Sequence, residues 1–209
     1  MFGVDGVGVS LSLPGTLRAV VGGSNEAARQ LEYAQLTSAE GPCTAATWTG
    51  RPVHAADLSD PAETRWPVLV QQLAGLPVRA VTAVPLTIGG AALGETAVGS
   101  LDLHSTRAHG LDGLDADALE AVATMMAAAV LHLRTPDPRT AAPGTVDWAD
   151  VQRATDRVAA ALGIAPLDAL DRLRARAFRE SRWLPELAAD VLTGRQAADL
   201  GDAPTRPAG

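Results

Sequence analysis

The most constraining feature of the sequence is the placement of one glycine and two prolines within residues 151–192. Gly163 directly follows an apolar stripe, at a position where a helix commonly ends in a left-handed residue. Pro166 and Pro185 each stand where a new apolar stripe begins, and a proline in the first helical turn removes no hydrogen bond. Helices this short are unstable alone. The spacing therefore predicts three amphipathic helices that pack on one another.

The apolar positions of this segment recur at helical spacing and so predict the inward face of each helix. Several of them are alanine, whose small side chain allows close packing. The first helix is expected over about 148–162. The predicted inward residues are Val151, Ala154, Val158, Ala161, Leu162, Ala169, Leu170, Leu173, Ala177, Leu184, Leu187, Ala188 and Val191.

Positive charge is clustered on the second of these helices. Arg172, Arg176 and Arg179 are spaced i, i+4, i+7, which places them within an arc of about 60°. Arginine offers a planar set of donors that binds phosphate and stacks on bases. The stripe therefore predicts an RNA-binding surface, extended at its edges by three further arginines. The candidate RNA-binding residues are Arg153, Arg157, Arg172, Arg176, Arg179 and Arg182.

An ordinary solvated helix face is the alternative interpretation of this charge. Asp168 precedes Arg172 by four residues, and Asp171 precedes Arg174 by three. Such pairs are common on helix surfaces and contribute a few tenths of a kcal/mol each. No helix-turn-helix pattern with a polar recognition helix is present, so duplex DNA is not an expected partner.

The run 151–192 resembles, without a gap, an ANTAR domain, a three-helix RNA-binding module of bacterial transcription antiterminators. The resemblance implies a dimer that binds paired hairpins in a leader transcript and prevents a terminator from forming. The matching positions are Ala154, Leu162, Gly163, Ile164, Ala169, Leu173, Arg174, Ala177, Leu184, Leu187, Ala188 and Val191.

One stretch departs from the ANTAR pattern. The usual Gln-Ala-Lys-Gly of the first helix is here Arg153-Ala154-Thr155-Asp156. Asp156 puts a negative charge where RNA would approach, whereas Arg153 and Arg157 can compensate for the lost lysine. The departure favours an alternative in which the helical end no longer binds RNA.

The rest of the chain is acidic. Residues 1–134 contain seven arginines and 13 acidic residues, and the whole chain has a net charge of −7. This balance argues against a general nucleic-acid coat or an anionic membrane as partner. The single cysteine excludes an internal disulfide. The uncharged stretches of this part, the one at 121–133 among them, are all too short for a membrane span, and the N-terminus has no basic leader. We therefore expect a cytoplasmic protein.

Residues 1–134 alternate signals for strands and helices. The predicted strands are 7–13, 17–21, 52–58, 79–88 and 92–104, the last with one slip in its alternation that suggests a bulge. Ser24 or Asn25 is expected to cap a helix that ends near Leu36. A further helix, interrupted at Pro67, is expected over 62–76.

A long helix is expected over about 115–133. Its other faces carry Ala and Met rather than charge, which favours burial on two sides, against the sheet and against a second copy of the chain. A helix buried within one domain is the alternative. The stripe expected to face the sheet consists of Leu119, Val122, Met126, Ala129, Val130 and Leu133.

Residues 4–133 resemble a GAF domain, in particular those of actinobacterial regulators. The motifs that carry the resemblance are Glu40-Gly41-Pro42-Cys43, Gly50-Arg51-Pro52-Val53, Arg65-Trp66-Pro67, and the strand pair around Gly89-Gly90 with Leu93-Gly94. The resemblance implies an antiparallel sheet flanked by helices, with a small-ligand pocket on one face. The helix that usually precedes the first strand has no counterpart, so either the start is misassigned or this helix is missing.

No catalytic constellation is apparent, and an enzyme is not expected. Gly3 to Gly8 is glycine-rich but precedes a strand, whereas a dinucleotide-binding loop follows one. Cys43 is expected to be a buried structural residue. The four histidines lack metal-ligand spacing, so neither a metal nor a cofactor is expected beyond an unidentified small-molecule effector.

Together these patterns predict an α+β protein in four segments. These are a GAF-like sensor domain at 1–134, a Pro-rich linker at 135–147, an ANTAR-like module at 148–193 and a disordered tail at 194–209. The expected function is signal-responsive antitermination by a homodimer that binds hairpin RNA in nascent transcripts. The alternative is a ligand-sensing or protein-interaction module that does not bind RNA.

Overall fold

The computed structural model describes residues 3–12, 19–90, 94–132 and 148–195. The chain divides into two compact units, residues 1–140 and 141–209. The predicted linker lies outside the described residues, as does the predicted tail beyond Arg195.

The first unit is built on a five-stranded antiparallel sheet in the order β2-β1-β5-β4-β3. This confirms the expected α+β class. The strands are β1 Gly6–Leu11, β2 Ala19–Gly23, β3 Val53–Ala55, β4 Ala80–Gly90 and β5 Gly94–Ser105. The helices are α1 Glu26–Ser38, α2 Pro42–Thr49, α3 Pro67–Gln72 and α4 Ala116–His132.

Several local predictions are confirmed at the residue level. The Asn25 side chain caps α1 by accepting a 2.8 Å hydrogen bond from the Ala28 amide. The slip in β5 is a bulge. Leu86 of β4 pairs with Gly99 and Thr87 pairs with Ala97, so Val98 is an extra residue in β5 between these two pairs.

Other local predictions were wrong. The helix expected over 62–76 is confined to Pro67–Gln72, because Pro67 can begin a helix but cannot continue one. The strand expected over 52–58 is only Val53–Ala55. The α2 helix was not predicted at all. It begins at Pro42, and its apolar face is short.

The two faces of the sheet differ in polarity. One face is apolar: Val9, Val84 and Leu101 pack there against Ala123 and Ala127 of α4. The opposite face is covered by α1, which packs on β1, and by α2, which packs on β4 and β5. Its side chains on β1 and β5 are largely polar, since the side chains of a strand alternate between faces.

The face that α4 presents to the sheet differs from the predicted stripe. Ala123 and Ala127 are buried, with Leu119 and Met126 half-buried beside them. Because Ala123 and Ala127 face the sheet, apolar residues elsewhere around the helix are turned outward. Val122 and Met125 are 41 % and 64 % exposed. Ala129 is also exposed, and the side chains of Val130 and Leu133 lie outside those described.

The second unit consists of three packed helices, α5 Trp148–Leu162, α6 Pro166–Arg179 and α7 Leu184–Leu192. Gly163 ends α5 at φ +64°, and the Ile164 amide donates to the Ala159 carbonyl at 3.1 Å. This is the glycine-terminated helix end that the sequence predicted.

The predicted inward faces of the three helices are largely correct. All the predicted positions on α6 and α7 are buried, as are Val151, Ala154 and Val158 on α5. Ala161 and Leu162 are exceptions, because Ala161 is exposed and Leu162 is only half-buried. The buried Thr155 lies inward instead. The Thr155 hydroxyl donates to the Val151 carbonyl at 2.8 Å, which satisfies it within the helix.

None of the helices among the described residues has both the length and the apolar character that crossing a bilayer requires.

We predict that the exposed apolar side chains of α4 contribute to a homodimer. Replacing Val122 and Met125 together by Glu would place two charges in that interface and shift the chain to monomer. Sedimentation velocity at micromolar concentration measures this. Thr124→Glu is the matched control, because Thr124 lies on another exposed side of α4, and it should leave the dimer intact. A monomeric wild-type chain would contradict the prediction.

Candidate functional sites: a buried polar cluster and an arginine-bearing helix

A row of polar side chains lies buried along the central strand β5. Ser100, Asp102 and His104 alternate on the face covered by α1 and α2, and each is at most 1 % exposed. The neighbouring strand β1 places Ser10 opposite Ser100, and Gly8 opposite Asp102. The apolar residues between them face α4, so the polar row is specific to one side of the sheet.

Two glycines of β1 make room for this row. A Cβ atom at Gly8 would collide with Glu32 Oε1, and one at Gly6 would collide with His104 Nε2. Glu32 comes from α1 and is fully buried. The sequence placed this glycine-rich segment ahead of the first strand, whereas Gly6 and Gly8 lie within β1, where they accommodate large polar side chains.

Asp102 is the centre of a hydrogen-bond network. Ser100 Oγ donates to Asp102 Oδ1 at 2.6 Å, and Gln35 Nε2 donates to Oδ2 at 2.8 Å. The other end of the same amide, Gln35 Oε1, accepts from the Cys43 amide at 2.9 Å in the first turn of α2. One side chain of α1 thus connects β5 to α2.

The Cys43 side chain, in the first turn of α2, is buried as expected, with its Sγ 3.9 Å from Ser10 Oγ. Its surroundings are nevertheless polar. Glu32, Cys43 and Asp102 each bring a ligand atom to one place, and these three atoms lie within 4.8 Å of one another. These are the described residues that could hold a metal ion.

His104 extends the cluster along β5. Neither ring nitrogen has a hydrogen-bond partner among the described residues, although the side chain is almost wholly buried. Burial lowers the pKa of His104 below its usual value, and the negative charge of Asp5 opposes this only in part. The ring is therefore held neutral near pH 7.

This cluster was missed by the sequence analysis. Its members come from α1, α2 and β5, which are far apart in the chain, so no short spacing motif connects them. One signal was available: Ser100, Asp102 and His104 alternate with Leu101 and Leu103 in a strand with predicted neighbours. Polar residues on one face of a central strand indicate a buried polar site.

The structure places the six candidate arginines in different environments. Arg176 is only 7 % exposed, and its Nε donates to Glu180 Oε1 at 2.7 Å. The prediction that Arg176 lies on an accessible stripe was wrong, because α6 is rotated so that Arg176 packs beside Leu173 and Ala177 on its inner side. Arg179 is exposed, and Arg172 is half-buried.

The other candidates contact acidic or backbone groups within the module. Arg182 Nη2 donates to Asp190 Oδ2 at 2.7 Å, and Arg157 Nη1 donates to the Leu192 carbonyl at 3.0 Å. Arg153 forms an ion pair with Asp150. The predicted Asp171–Arg174 pair is present at 3.1 Å.

The departure from the ANTAR pattern involves one buried residue and one exposed residue. Thr155 is fully buried, so a lysine at this position would have to enter the packed interior. Asp156 is exposed, and Gln152 Nε2 donates to its Oδ1 at 3.2 Å. Only Asp156 can therefore act on an approaching polyanion directly.

Comparison with known proteins gives one family. A family model described as GAF domain matches residues 1–130, which is more than half of the 209 residues. A search of the curated proteins gives no match.

Several solved structures are similar to part of the chain. One is the GAF domain region of a protein from Geobacter sulfurreducens, with 18 % identity and a TM-score of 0.48 over 63 % of this chain and 84 % of that one. Another is the GAF domain of the cyanobacteriochrome TePixJ, with 22 % identity and a TM-score of 0.44 over 63 % and 81 %. A third is the type II free methionine-R-sulfoxide reductase from Thermoplasma acidophilum, with 18 % identity and a TM-score of 0.43 over 62 % and 80 %.

We predict that Gln35→Leu destabilises the first unit by about 3 kcal/mol, because it removes a donor from the buried Asp102 and leaves the Cys43 amide without its acceptor. Hydrogen exchange at the β5 amides measures this unit separately from the helical one. Gln71→Leu is the matched control on the exposed side of α3, and it should change stability by no more than about 0.5 kcal/mol.

We also predict that the free energy of unfolding of the first unit falls as the pH is lowered below about 6.5, partly because of His104. The unfolded chain binds a proton near the usual histidine pKa, whereas the folded chain resists protonation until a lower pH. His104→Gln should therefore have a shallower decline between pH 7.5 and 5.5, measured by urea unfolding with a chelator present. Equal declines in the two proteins would contradict this.

Proposed function

The chain belongs to the GAF domain family, and from this premise we propose that it is a signal-responsive regulator that controls transcription termination. In this proposal the GAF unit senses a small polar ligand or ion. The three-helix unit binds hairpin RNA in nascent transcripts, as an ANTAR domain does. The chain acts as a homodimer in the cytoplasm, without catalytic activity of its own.

The buried polar cluster supports the sensing half of the proposal. Burying carboxyl groups costs free energy unless their polar atoms are satisfied. A purely apolar interior would stabilise the sheet without this cost, as it does on the α4 face. The polar row Ser100, Asp102 and His104 is therefore better explained by recognition than by folding alone.

The ungapped match of residues 151–192 to the ANTAR pattern is the observation that carries the RNA-binding half. Its inward positions, such as Leu173 and Leu187, are those that form the core of the three-helix unit. Arg179 is then the exposed arginine of α6 that a phosphate backbone can reach, with the half-buried Arg172 on the same helix and Arg153 exposed on α5.

A docking module for another protein is the second candidate function. The observations that favour it are the carboxylate partners of Arg153, Arg176 and Arg182, together with the exposed Asp156. Arginines already paired with carboxylates gain less from a phosphate, because the existing pair must first be broken. The two candidates differ in whether RNA binds, and a titration distinguishes them.

We predict that the double variant Arg172→Ala with Arg179→Ala binds a two-hairpin RNA more weakly than the wild type does. The slope of log affinity against log salt concentration should become shallower by about 1.4 per protomer, since each lost phosphate contact on single-stranded RNA accounts for about 0.7. Helical content should be kept, since alanine favours helix. The measurement is a binding titration at two salt concentrations. Arg51→Ala with Arg107→Ala is the charge-matched control, because both of these arginines are exposed on the GAF unit.

Asp156→Asn tests the departure from the ANTAR pattern in the same titration. Removing the exposed negative charge should increase RNA affinity and leave the helix intact. If the wild type and this variant both fail to bind any transcript, and crosslinking in cells recovers no RNA, the protein-docking function replaces the RNA-binding one.

A further inference from the structure

The strongest unexplained feature of the GAF unit is the convergence of Glu32, Cys43 and Asp102. Each residue comes from a different element, α1, α2 and β5, and each is at most 1 % exposed. Their ligand atoms lie within 4.8 Å of one another. Carboxyl groups brought this close inside a protein repel one another when ionised, and a bound cation would remove that repulsion.

We propose that Glu32, Cys43 and Asp102 form a binding site for a single divalent transition-metal ion of the Zn²⁺ or Fe²⁺ class. The site lies between the sheet and its helical cover. It gives the proposed sensor a specific signal, the availability of this ion.

The donor set decides the class of ion. A thiolate is a soft ligand that favours zinc, iron and copper, whereas Mg²⁺ and Ca²⁺ bind oxygen ligands. One sulfur with two carboxylate oxygens suits a borderline ion such as Zn²⁺, which binds cysteine, histidine and carboxylate together. Ligand atoms around such an ion lie somewhat closer than 4.8 Å, so a small inward adjustment of side chains would complete the site.

The groups around Asp102 are suited to hold its carboxylate in position as a metal ligand. Ser100 Oγ and Gln35 Nε2 each donate to one of its oxygens, at 2.6 Å and 2.8 Å. Each carboxylate oxygen has a second lone pair, so these hydrogen bonds orient the carboxylate without occupying it fully. Hydrogen-bonded partners of this kind orient metal-binding carboxylates in proteins.

His104 is a second and independent indication of a ligand. It is 1 % exposed, both ring nitrogens lack a hydrogen-bond partner among the described residues, and it shares a face of β5 with Asp102. Its Nε2 lies over Gly6, and Glu32 Oε1 lies over Gly8. Alternate residues of a strand are about 7 Å apart. His104 is therefore the neighbour of the three ligand atoms along β5, and it is not one of the groups that meet within 4.8 Å.

The position of the site suggests how binding would act on the protein. The three ligands belong to the sheet and to both helices that cover its polar face, so an ion would draw these elements together. The biological use of the site rests on the proposed sensing role, whereas metal binding itself can be measured without RNA.

The test is a titration of the full-length chain, first stripped with a chelator, with Co²⁺ as a spectroscopic substitute for Zn²⁺. The expected result is one equivalent bound, with a thiolate-to-Co²⁺ charge-transfer band in the near ultraviolet and an increase in thermal stability. Zn²⁺ should displace Co²⁺ and remove the band.

Cys43→Ser keeps the size of the side chain and should abolish the charge-transfer band. Asp102→Asn should weaken Co²⁺ binding at least about tenfold. Asp112→Asn is the matched control for adventitious binding, because Asp112 is an exposed carboxylate that contacts His54 and His109. Each variant is checked for wild-type circular dichroism without metal.

Two results would overturn the proposal. One is the absence of the band and of any stabilisation in a folded wild-type chain. The other is Co²⁺ binding that Cys43→Ser leaves unchanged. Repeating the RNA titration with and without Zn²⁺ separates the two proposals. An effect of Zn²⁺ on RNA binding supports both the metal site and the RNA-binding function. RNA binding by a chain that binds no metal rejects the metal site alone. Metal binding by a chain that binds no RNA rejects the RNA-binding function alone.

Discussion

The carboxylate of Asp102 is the group on which the polar side of the GAF unit depends. It is buried in the central strand, and it accepts hydrogen bonds from Ser100 and from Gln35 of α1. Because the same Gln35 amide also accepts from the amide of Cys43, the positions of α1 and α2 are coupled through one side chain. A change at this carboxylate would therefore reach both helices that cover the sheet.

The opposite face of the sheet is stabilised in a different way. There, Val84 and Leu101 pack against alanines of α4, and apolar burial provides the stabilisation. The two faces of the sheet therefore differ in what they bury. The apolar face stabilises the unit and leaves Val122 and Met125 of α4 exposed, whereas the polar face buries Asp102 and His104.

The helical unit has an apolar core, and several of the charged side chains around this core form ion pairs. Arg176 and Arg182 both contact Glu180, and Arg182 also contacts Asp190. Arg176 is largely buried and its carboxylate partner is partly exposed, so these ion pairs hold the arginines against the helical unit. Their main effect is to reduce the positive charge offered to a partner, so the exposed Arg179 is the arginine of α6 from which RNA binding is most simply tested.

The sequence alone determined the features that depend on local chemistry. Gly163 ends α5, Asn25 caps α1 and the slip in β5 is a bulge, because each depends on the conformation of a few adjacent residues. The tertiary structure alone decided which side chains meet. The burial of Arg176 and Thr155, the exposure of Met125 and the convergence of Glu32, Cys43 and Asp102 all depend on how each helix is rotated against elements far away in the chain. A rotation of one residue position changes which side chain faces inward, and no local pattern fixes that rotation.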